Sequence, residues 1–334
     1  MSRPRRATLV DVAQRAGVSV TTASDALTGR GRVAPRTRER VAQATTELGY
    51  VPNSAARHLR GTSTGVIALA LPEALNRSSY YMSFAFGALA EATRHDYDLA
   101  IVADLSARAG LRPLRADGLL ISDPRVDDPF IAALAGSPIT VVTCEPVPEG
   151  PAPDGLVWSR HREAIHELMD EVAASGARRP ALLACEGTVE WSRQVALGYT
   201  EWCRDRRCEP LTATLPYEAT WAQMRETAAD LLARHPDIDA LVCGPDGSAV
   251  EIASVLALAG HEIGRTLAVA ACVDSDRLEM HNPPITAIDV RPREAGATCA
   301  RLLFDIVAGT APANTQVEHA VRVVRRASTA RLPA

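Results

Sequence analysis

The sequence predicts a small all-α head followed by a large α/β body built on two parallel sheets. Three observations carry this. Short capped helices crowd the first fifty residues, apolar strands alternate with helical segments after residue 64, and 334 residues exceed what one ordinary core encloses. A hydrophobic fraction of 47% with 23% charged residues suits a soluble globular chain.

In the head, Thr8-Leu9-Val10-Asp11 has the S/T-x-x-D/E form of a helix start, with the Thr8 hydroxyl capping free amides of the first turn. Leu9, Val12, Ala13 and Ala16 follow at helical spacing, small where another helix crosses closely. Gly17 stops the segment, because glycine takes the positive φ of a tight turn at little cost. Val18 plugs the turn. Ser19 is a good N-cap for a second helix from Val20 to about Thr28. Its inner stripe is Ala23, Ala26 and Leu27, leaving Val20, Thr21, Ser24 and Asp25 on the outer face. A third helix, about Pro35 to Leu48, buries Val41, Ala44 and Leu48 and ends at Gly49. Two short helices meeting at a glycine turn, braced by a third, form a helix-turn-helix whose second helix fits the major groove of DNA.

Charge points the same way. Residues 1–61 hold 11 Arg against four acids (Asp11, Asp25, Glu39, Glu47), a net of +7, while the rest of the chain nets −11. A basic head on an acidic body suits a polyanion that only the head should touch. Every basic residue is Arg, since the chain has no Lys.

The segment Tyr50–Gly61 adds a proline-introduced helix too short to be stable alone. With it the sequence resembles the lac-repressor (LacI/GalR) family. The match runs through T-L-x-D-V-A-x-x-A-G-V-S (Thr8–Ser19), T-R-E-R-V (Thr37–Val41), L-G-Y-x-P-N (Leu48–Asn53) and A-R-x-L (Ala56–Leu59). The resemblance implies a hinge helix over residues 53–61 that enters the minor groove beside its copy from a second subunit. Leu59 would then be the apolar wedge that opens a base step, or alternatively a plain linker anchor. Ala56 would permit close approach, and Arg57 would meet phosphate. The implied DNA-facing set is Thr8, Ser19, Val20, Thr21, Thr22, Ser24, Asp25, Thr28, Asn53, Ala56, Arg57 and Leu59, with Val20, Thr21 and Asp25 as base readers. Asp25 departs from the family's usual Arg. It cannot donate to guanine but can accept from a cytosine amino group; the alternative is that it turns aside to a neighbouring Arg.

The body reads as strands at Gly65–Leu71, Leu99–Ala103, Asp117–Ile121, Ile139–Thr143, Pro180–Ala184, Ala240–Cys243, Leu267–Cys272 and Ile285–Asp289. Between and after them come helices at Ser83–Thr93, Pro129–Ala135, Glu163–Ser175, Arg193–Arg204, Thr220–Arg234, Ser248–Leu258 and Pro292–Val307. Such alternation requires parallel sheets covered by helices. P-P-I-T-A-I (Pro283–Ile288) and V-V-R-R-A-S-T (Val323–Thr329) are similar to family sequence. The resemblance implies a periplasmic-binding-protein-like body of two parallel-sheet lobes, residues 62–158 with 290–318 and residues 159–289 with 319–334, behind a helix-turn-helix at 1–52. A small-molecule effector of unknown identity would lie in the cleft between lobes.

The effector positions match the family loosely. Where sugar-binding members carry Arg before a Gly-aromatic pair, here Gly198-Tyr199, the chain has Val195, and Arg193 is the nearest substitute. The expected Asp-Asn pair reads Ser159-Arg160. Asp246, in Gly244-Pro245-Asp246-Gly247, keeps a family acid, although an Asp before a helix also serves as an N-cap. Trp221 falls where a ring would stack on the ligand, or in the core. The candidate set is Ser159, Arg193, Trp221 and Asp246.

No catalytic constellation, cofactor motif or metal-ligand spacing stands out; His166 and Asp170 share a helix face with acidic neighbours, as surface charges do. Seven Cys are scattered without a C-x-x-C pair, which suits free thiols in a reducing compartment. The basic start lacks an apolar stretch after it, so a cytoplasmic location is expected. The reading is therefore a homodimeric, operator-binding regulator without enzymatic activity, repressive by default. A solute receptor or enzyme of the same body fold with a DNA-tethering head is the alternative; without that head, such a reading leaves residues 8–60 unexplained.

Overall fold

The computed structural model describes residues 7–28, 31–50, 63–71, 79–103, 115–126, 131 and 139–330. The chain divides into two compact units, Met1–Gly65 and Val66–Ala334, which are taken separately.

The head contains α1 (Leu9–Ala16), α2 (Val20–Thr28) and α3 (Pro35–Glu47). The Thr8 hydroxyl accepts from the Asp11 amide and Asp11 answers to the Thr8 amide, a complete capping box. Gly17 closes α1 at φ 63°, the left-handed conformation that a Cβ disfavours. Arg40 on α3 then reaches back, its Nε donating to the Ala16 carbonyl at 3.1 Å and a terminal nitrogen to Gly17 at 3.1 Å. These bonds satisfy carbonyls that α1 leaves open at its end. Val12, Ala13, Ala16, Ala23, Val41 and Ala44 make the small core. Val20, expected on the outer face, is half-buried and packs against that core, as the first turn of α2 lies close to the Val18 plug.

The body holds two six-stranded sheets. Its elements in chain order are β1 (Val66–Leu71), α4 (Ser79–Arg94), β2 (Asp98–Ala103), β3 (Gly118–Ser122), β4 (Thr140–Cys144), β5 (Gly155–Trp158), α5 (His161–Ala174), β6 (Pro180–Cys185) and α6 (Glu190–Arg206). There follow β7 (Leu211–Leu215), α7 (Trp221–Arg234), β8 (Ala240–Cys243), α8 (Ser248–Glu251), α9 (Ala253–Leu258), β9 (Ala268–Ala271), α10 (Asp276–Glu279), β10 (Thr286–Asp289), α11 (Pro292–Val307), β11 (Thr315–Glu318) and β12 (Arg322–Val324).

The first sheet has the order β11-β5-β4-β3-β1-β2 and is parallel throughout. The second runs β12-β10-β9-β8-β6-β7, parallel except where β12 pairs antiparallel with β10. The chain moves from the first sheet to the second after Trp158, returns after Asp289 to lay α11 on the first, and crosses again after Glu318. His319 ties these crossings together. Its amide donates to the Trp158 carbonyl at 2.7 Å, and its ring Nε2 lies 3.1 Å from the Val290 carbonyl.

Residues alternate across the second sheet. Ala181 and Leu183 face the cluster under α7, α8 and α9, while Leu182 and Ala184 face the cluster under α5 and α6. In the first sheet, α4 and α11 cover one face together. They touch through glycine: a Cβ built on Gly87 would overlap the Arg293 carbonyl oxygen, and one on Gly296 the Phe84 carbonyl oxygen.

Four strands escaped the sequence reading: β5, β7, β11 and β12. They are short, and β7, β11 and β12 are sheet edges. An edge strand needs fewer apolar residues, as the buried-exposed alternation of Leu-Thr-Ala-Thr-Leu in β7 illustrates. The helix expected over Ser248–Leu258 is interrupted at Ile252, so it becomes two short pieces. Apart from Ile131, which is helical, the segment expected as helix over 129–135 lies outside the described residues.

The glycine crossing yields a stability expectation. Gly87→Ala and Gly296→Ala should each destabilise the body by about 1–3 kcal/mol or more, since backbone cannot swing aside as a flexible side chain can. Urea unfolding followed by circular dichroism measures this, and an unchanged midpoint would show that the helices part freely.

Candidate functional sites

On the head, Ser19 Oγ accepts from the Thr22 amide at 3.0 Å and lies 2.8 Å from the Thr22 hydroxyl, which fixes the start of α2. Thr8, Ser19 and Thr21 are exposed, whereas Thr22, Ser24 and Asp25 are half-buried. The Asp25 carboxylate leans over the loop after α2, so that a Cβ at Gly31 would lie 3.1 Å from its Oδ2. Thr28 ends the helix. Asn53, Ala56, Arg57 and Leu59 lie outside the described residues.

In the body, one cavity opens among the carboxyl ends of the strands of both sheets, the edge at which open α/β sheets receive ligands. It encloses roughly 820 Å³ of space free of protein atoms, its solvent-open mouth included. Ser159, Trp221 and Asp246 line it, which brings three of the four candidates to one place. Arg193 does not. It sits on the exposed side of α6, its Nη1 3.4 Å from Glu149 and its Nε 3.8 Å from Glu190, spent on surface ion pairs.

Asp246 does something the sequence could not show. It is not the N-cap of its own helix: Gly247 holds that position, and no side chain caps α8. Its Oδ2 instead accepts from the Ser79 hydroxyl at 3.2 Å and the Tyr80 amide at 3.3 Å, the first residues of α4. An acid belonging to the second sheet thus caps a helix that covers the first, favoured by the positive end of the helix dipole. Further bridges span the same gap: Arg125 to Glu218 at 3.2 Å, and the Val126 amide to the Thr188 carbonyl at 2.8 Å. Trp221 lies against Gly247, with the Arg277 guanidinium 6.0 Å from its ring centroid.

The cavity's charged centre was missed. Asp123 follows β3 directly and Glu145 follows β4 directly, so the rule that ligands gather at strand carboxyl ends would have found both. Glu145 is buried, with Oε1 2.9 Å from His161 Nε2. The Tyr81 hydroxyl donates to Asp123 Oδ2 at 2.9 Å and also meets the Tyr217 hydroxyl. Burial raises the Asp123 carboxyl from the usual carboxylate range to about 7, helped by the charge of Glu145 and opposed by the Tyr81 bond and His161. For His161, burial works against the cation, yet the charge and hydrogen bond of Glu145 prevail and the net shift is upward. Burial lowers His319, which stays neutral. Burial also pushes the Cys185 thiol up to about 12, far from a reactive thiolate.

Residues 8–53 match the model for bacterial regulatory proteins of the lacI family, and residues 169–329 match a periplasmic binding protein-like domain. The HTH-type transcriptional regulator CelR of Thermobifida fusca is 30% identical, over 92% of this chain and 94% of its own. The chain belongs to the lacI family. Like the other lacI-family members, it is a DNA-binding transcription regulator with an effector-binding body. A solved CelR–cellobiose complex is 25% identical, with a TM-score of 0.70 over 97% of this chain and all of the other. The lac repressor dimer bound to operator and the anti-inducer ONPF shares the fold at a TM-score of 0.84 and 22% identity, covering 98% of this chain and 100% of its own. Among the described residues, no helix of this lacI-family chain is long and apolar enough to cross a membrane, and no group of three or more His, Cys, Asp or Glu is placed to hold a metal ion.

The raised Asp123 carboxyl gives stability a definite pH dependence. Folded Asp123 keeps its proton up to about 7, whereas the unfolded chain releases it at the ordinary carboxylate value. The folded state therefore holds the extra proton in between, and this group makes the body less stable as pH rises through that window. Glu145, His161, Tyr81 and Tyr217 face the carboxyl and stay in place in Asp123→Asn. That variant should gain stability relative to the parent as pH climbs from about 4 to 7. Parallel urea titrations across that range check it, and a constant difference would remove the assignment.

Proposed function

We propose that the protein is a cytoplasmic repressor that binds a near-palindromic operator as a homodimer and is controlled by a small molecule in the inter-sheet cleft. The observation that carries this reading is the union, in one chain, of a capped helix-turn-helix and a cavity bounded by the carboxyl edges of two sheets. The solved relatives hold cellobiose in one case and operator with an anti-inducer in the other, which supports both halves.

One head contacts too few bases for useful selectivity, so two should act together. An exposed apolar stripe on α4 (Met82, Phe86, Leu89), beside Ile101 on the edge strand β2, supports pairing through the body. In this reading the lobes are residues 62–158 with 290–318 and 159–289 with 319–334, and residues 53–61 form the hinge. Val20, Thr21 and Asp25 meet bases, Thr8, Ser19, Thr22, Ser24 and Thr28 help seat α2, Arg57 meets phosphate and Leu59 wedges a base step. In the body, Ser159, Trp221 and Asp246 contact the effector, joined by Asp123, Glu145 and His161. Closing or opening the cleft then changes the spacing of the two heads. No bound cofactor is needed for this.

Selection of full-length protein against random duplexes should return a near-palindrome. Removing residues 1–61 should abolish the preference, and affinity should fall steeply with salt because Arg side chains displace counterions. Loss of any preference at low ionic strength, or its survival without the head, would overturn the reading. Asp25→Asn and Asp25→Arg should each change the base selected at one half-site position, by about 1–3 kcal/mol of discrimination. An identical selected sequence for both variants would take Asp25 out of the recognition surface.

A further inference from the structure

The thiols divide unequally between core and surface. Cys144, Cys185, Cys203, Cys243, Cys272 and Cys299 are buried, and Cys208 is half-exposed. Directly beneath Cys208 lies Cys203. α6 ends in a Schellman motif: the Arg207 amide, on a residue at φ 55°, donates to the Arg204 carbonyl at 3.1 Å, and the Cys208 amide to the Cys203 carbonyl at 3.0 Å. In that motif the side chains at the two ends of the longer bond meet, and here both are cysteines. That bond keeps their Cα atoms no further apart than about 6.8 Å, the outer limit of the span a disulfide covers. Cys203 belongs to the buried cluster under α5 and α6, and Cys208 packs against the same cluster. The Cys208 thiol donates to the Cys203 carbonyl at 3.5 Å and lies within hydrogen-bonding reach of the Cys203 thiol. Cys144 and Cys299 also meet, but neither is exposed.

The pair is held in place. One turn earlier on α6, the Tyr199 hydroxyl donates to the Pro180 carbonyl at 2.9 Å and accepts from the Leu211 amide at 3.1 Å, which pins the helix end to the first residues of β6 and β7. Arg204, Arg206 and Arg207 stand between the two cysteines in sequence, and their charge favours the approach of an anionic reagent. We propose that Cys203 and Cys208 form a dithiol modification site, at which Cys208 exchanges with a small carboxylate-bearing disulfide and Cys203 then closes an intramolecular bond. Cys208 loses its proton to solvent, and its sulfur attacks the disulfide RSSR to form Cys208–S–S–R. The RS⁻ released takes up a proton. Cys203 then loses its proton, attacks the Cys208 sulfur and expels the second RS⁻, which is protonated in turn. The protein dithiol is oxidised by two electrons and RSSR is reduced to two RSH. Burial holds the Cys203 thiol up at about 12, so its attack is the slower step and the mixed disulfide on Cys208 comes first. The site lies at the amino-terminal edge of the second sheet, opposite the cleft, and does not depend on the effector reading.

Oxidised glutathione in excess, added to folded full-length protein near pH 8, is the probe. Samples are quenched with acid, unfolded, alkylated with N-ethylmaleimide and digested with trypsin for mass spectrometry. Cleavage after Arg204, Arg206 and Arg207 separates the peptide 194–204, which carries Cys203, from 208–225, which carries Cys208, unless a disulfide joins them. A glutathione adduct on Cys208 should appear first and give way to the joined peptides. Two of the seven thiols should then escape alkylation, and dithiothreitol should restore both. Cys203→Ser should stop at the Cys208 adduct, and Cys208→Ser, at a half-exposed position that the core does not need, should show neither product. Seven thiols still alkylated in the parent, an adduct that never resolves, or joined peptides that pair Cys208 with another cysteine or with a second chain would overturn the proposal. So would oxidation of Cys144 with Cys299 ahead of this pair, or joined peptides carrying Cys203 in Cys208→Ser.

Discussion

In a parallel sheet every strand finishes at the same edge, and the chain must cross back before it can begin the next one. That constraint organises the body. Each strand delivers the residue after its last hydrogen bond to one rim, which is how Asp123, Glu145, Ser159 and Tyr217 come together from distant points in sequence. The same geometry points helix N-termini at the rim, with His161 opening α5 and Ser79 opening α4. Two such rims face each other because three crossings, gathered at His319, bind the sheets into one unit. The cleft is thus a product of topology before any side chain is chosen.

Much of this was legible beforehand. The head declared itself through capping chemistry and a glycine turn, signals that depend on backbone conformation and act over three or four residues. Central strands such as β6 and β8 were plain because burial on both faces demands an unbroken apolar run. What stayed hidden was set by distant partners. β11, Thr-Gln-Val-Glu, has no local strand signature and exists because β5 offers it a ladder. Among the candidate residues, Trp221 and Asp246 fall on the cavity lining as their positions suggested, but the contact of Asp246 with α4 was not legible, since Ser79 and Tyr80 lie 167 and 166 residues away. Arg193 failed for a related reason: two residues along a helix turn the side chain to another face, here towards Glu149.

The division of charge within the chain has a physical logic. The acids that give the body its negative balance are not all surface solvation, since Asp123 and Glu145 sit inside the cleft, where His161 is hydrogen-bonded to Glu145. The guanidiniums of the body go largely to surface pairs, among them Arg160 with Glu318 at 2.7 Å and Arg206 with Asp170 at 2.7 Å. Polyanions therefore meet attraction at one unit and repulsion at the other.

The contact between Asp246 and α4 also sets an energy scale for motion. Among its partners are a hydroxyl and an amide at the very end of a helix, groups that water solvates readily once the rims separate. A charged cap of this kind is worth about 0.5–2 kcal/mol, a few-fold to some thirty-fold in population. This one contact is accordingly a bias, not a lock. Thermal agitation can undo it unaided, so whether the rims stay together is decided by all the bridges across the gap at once.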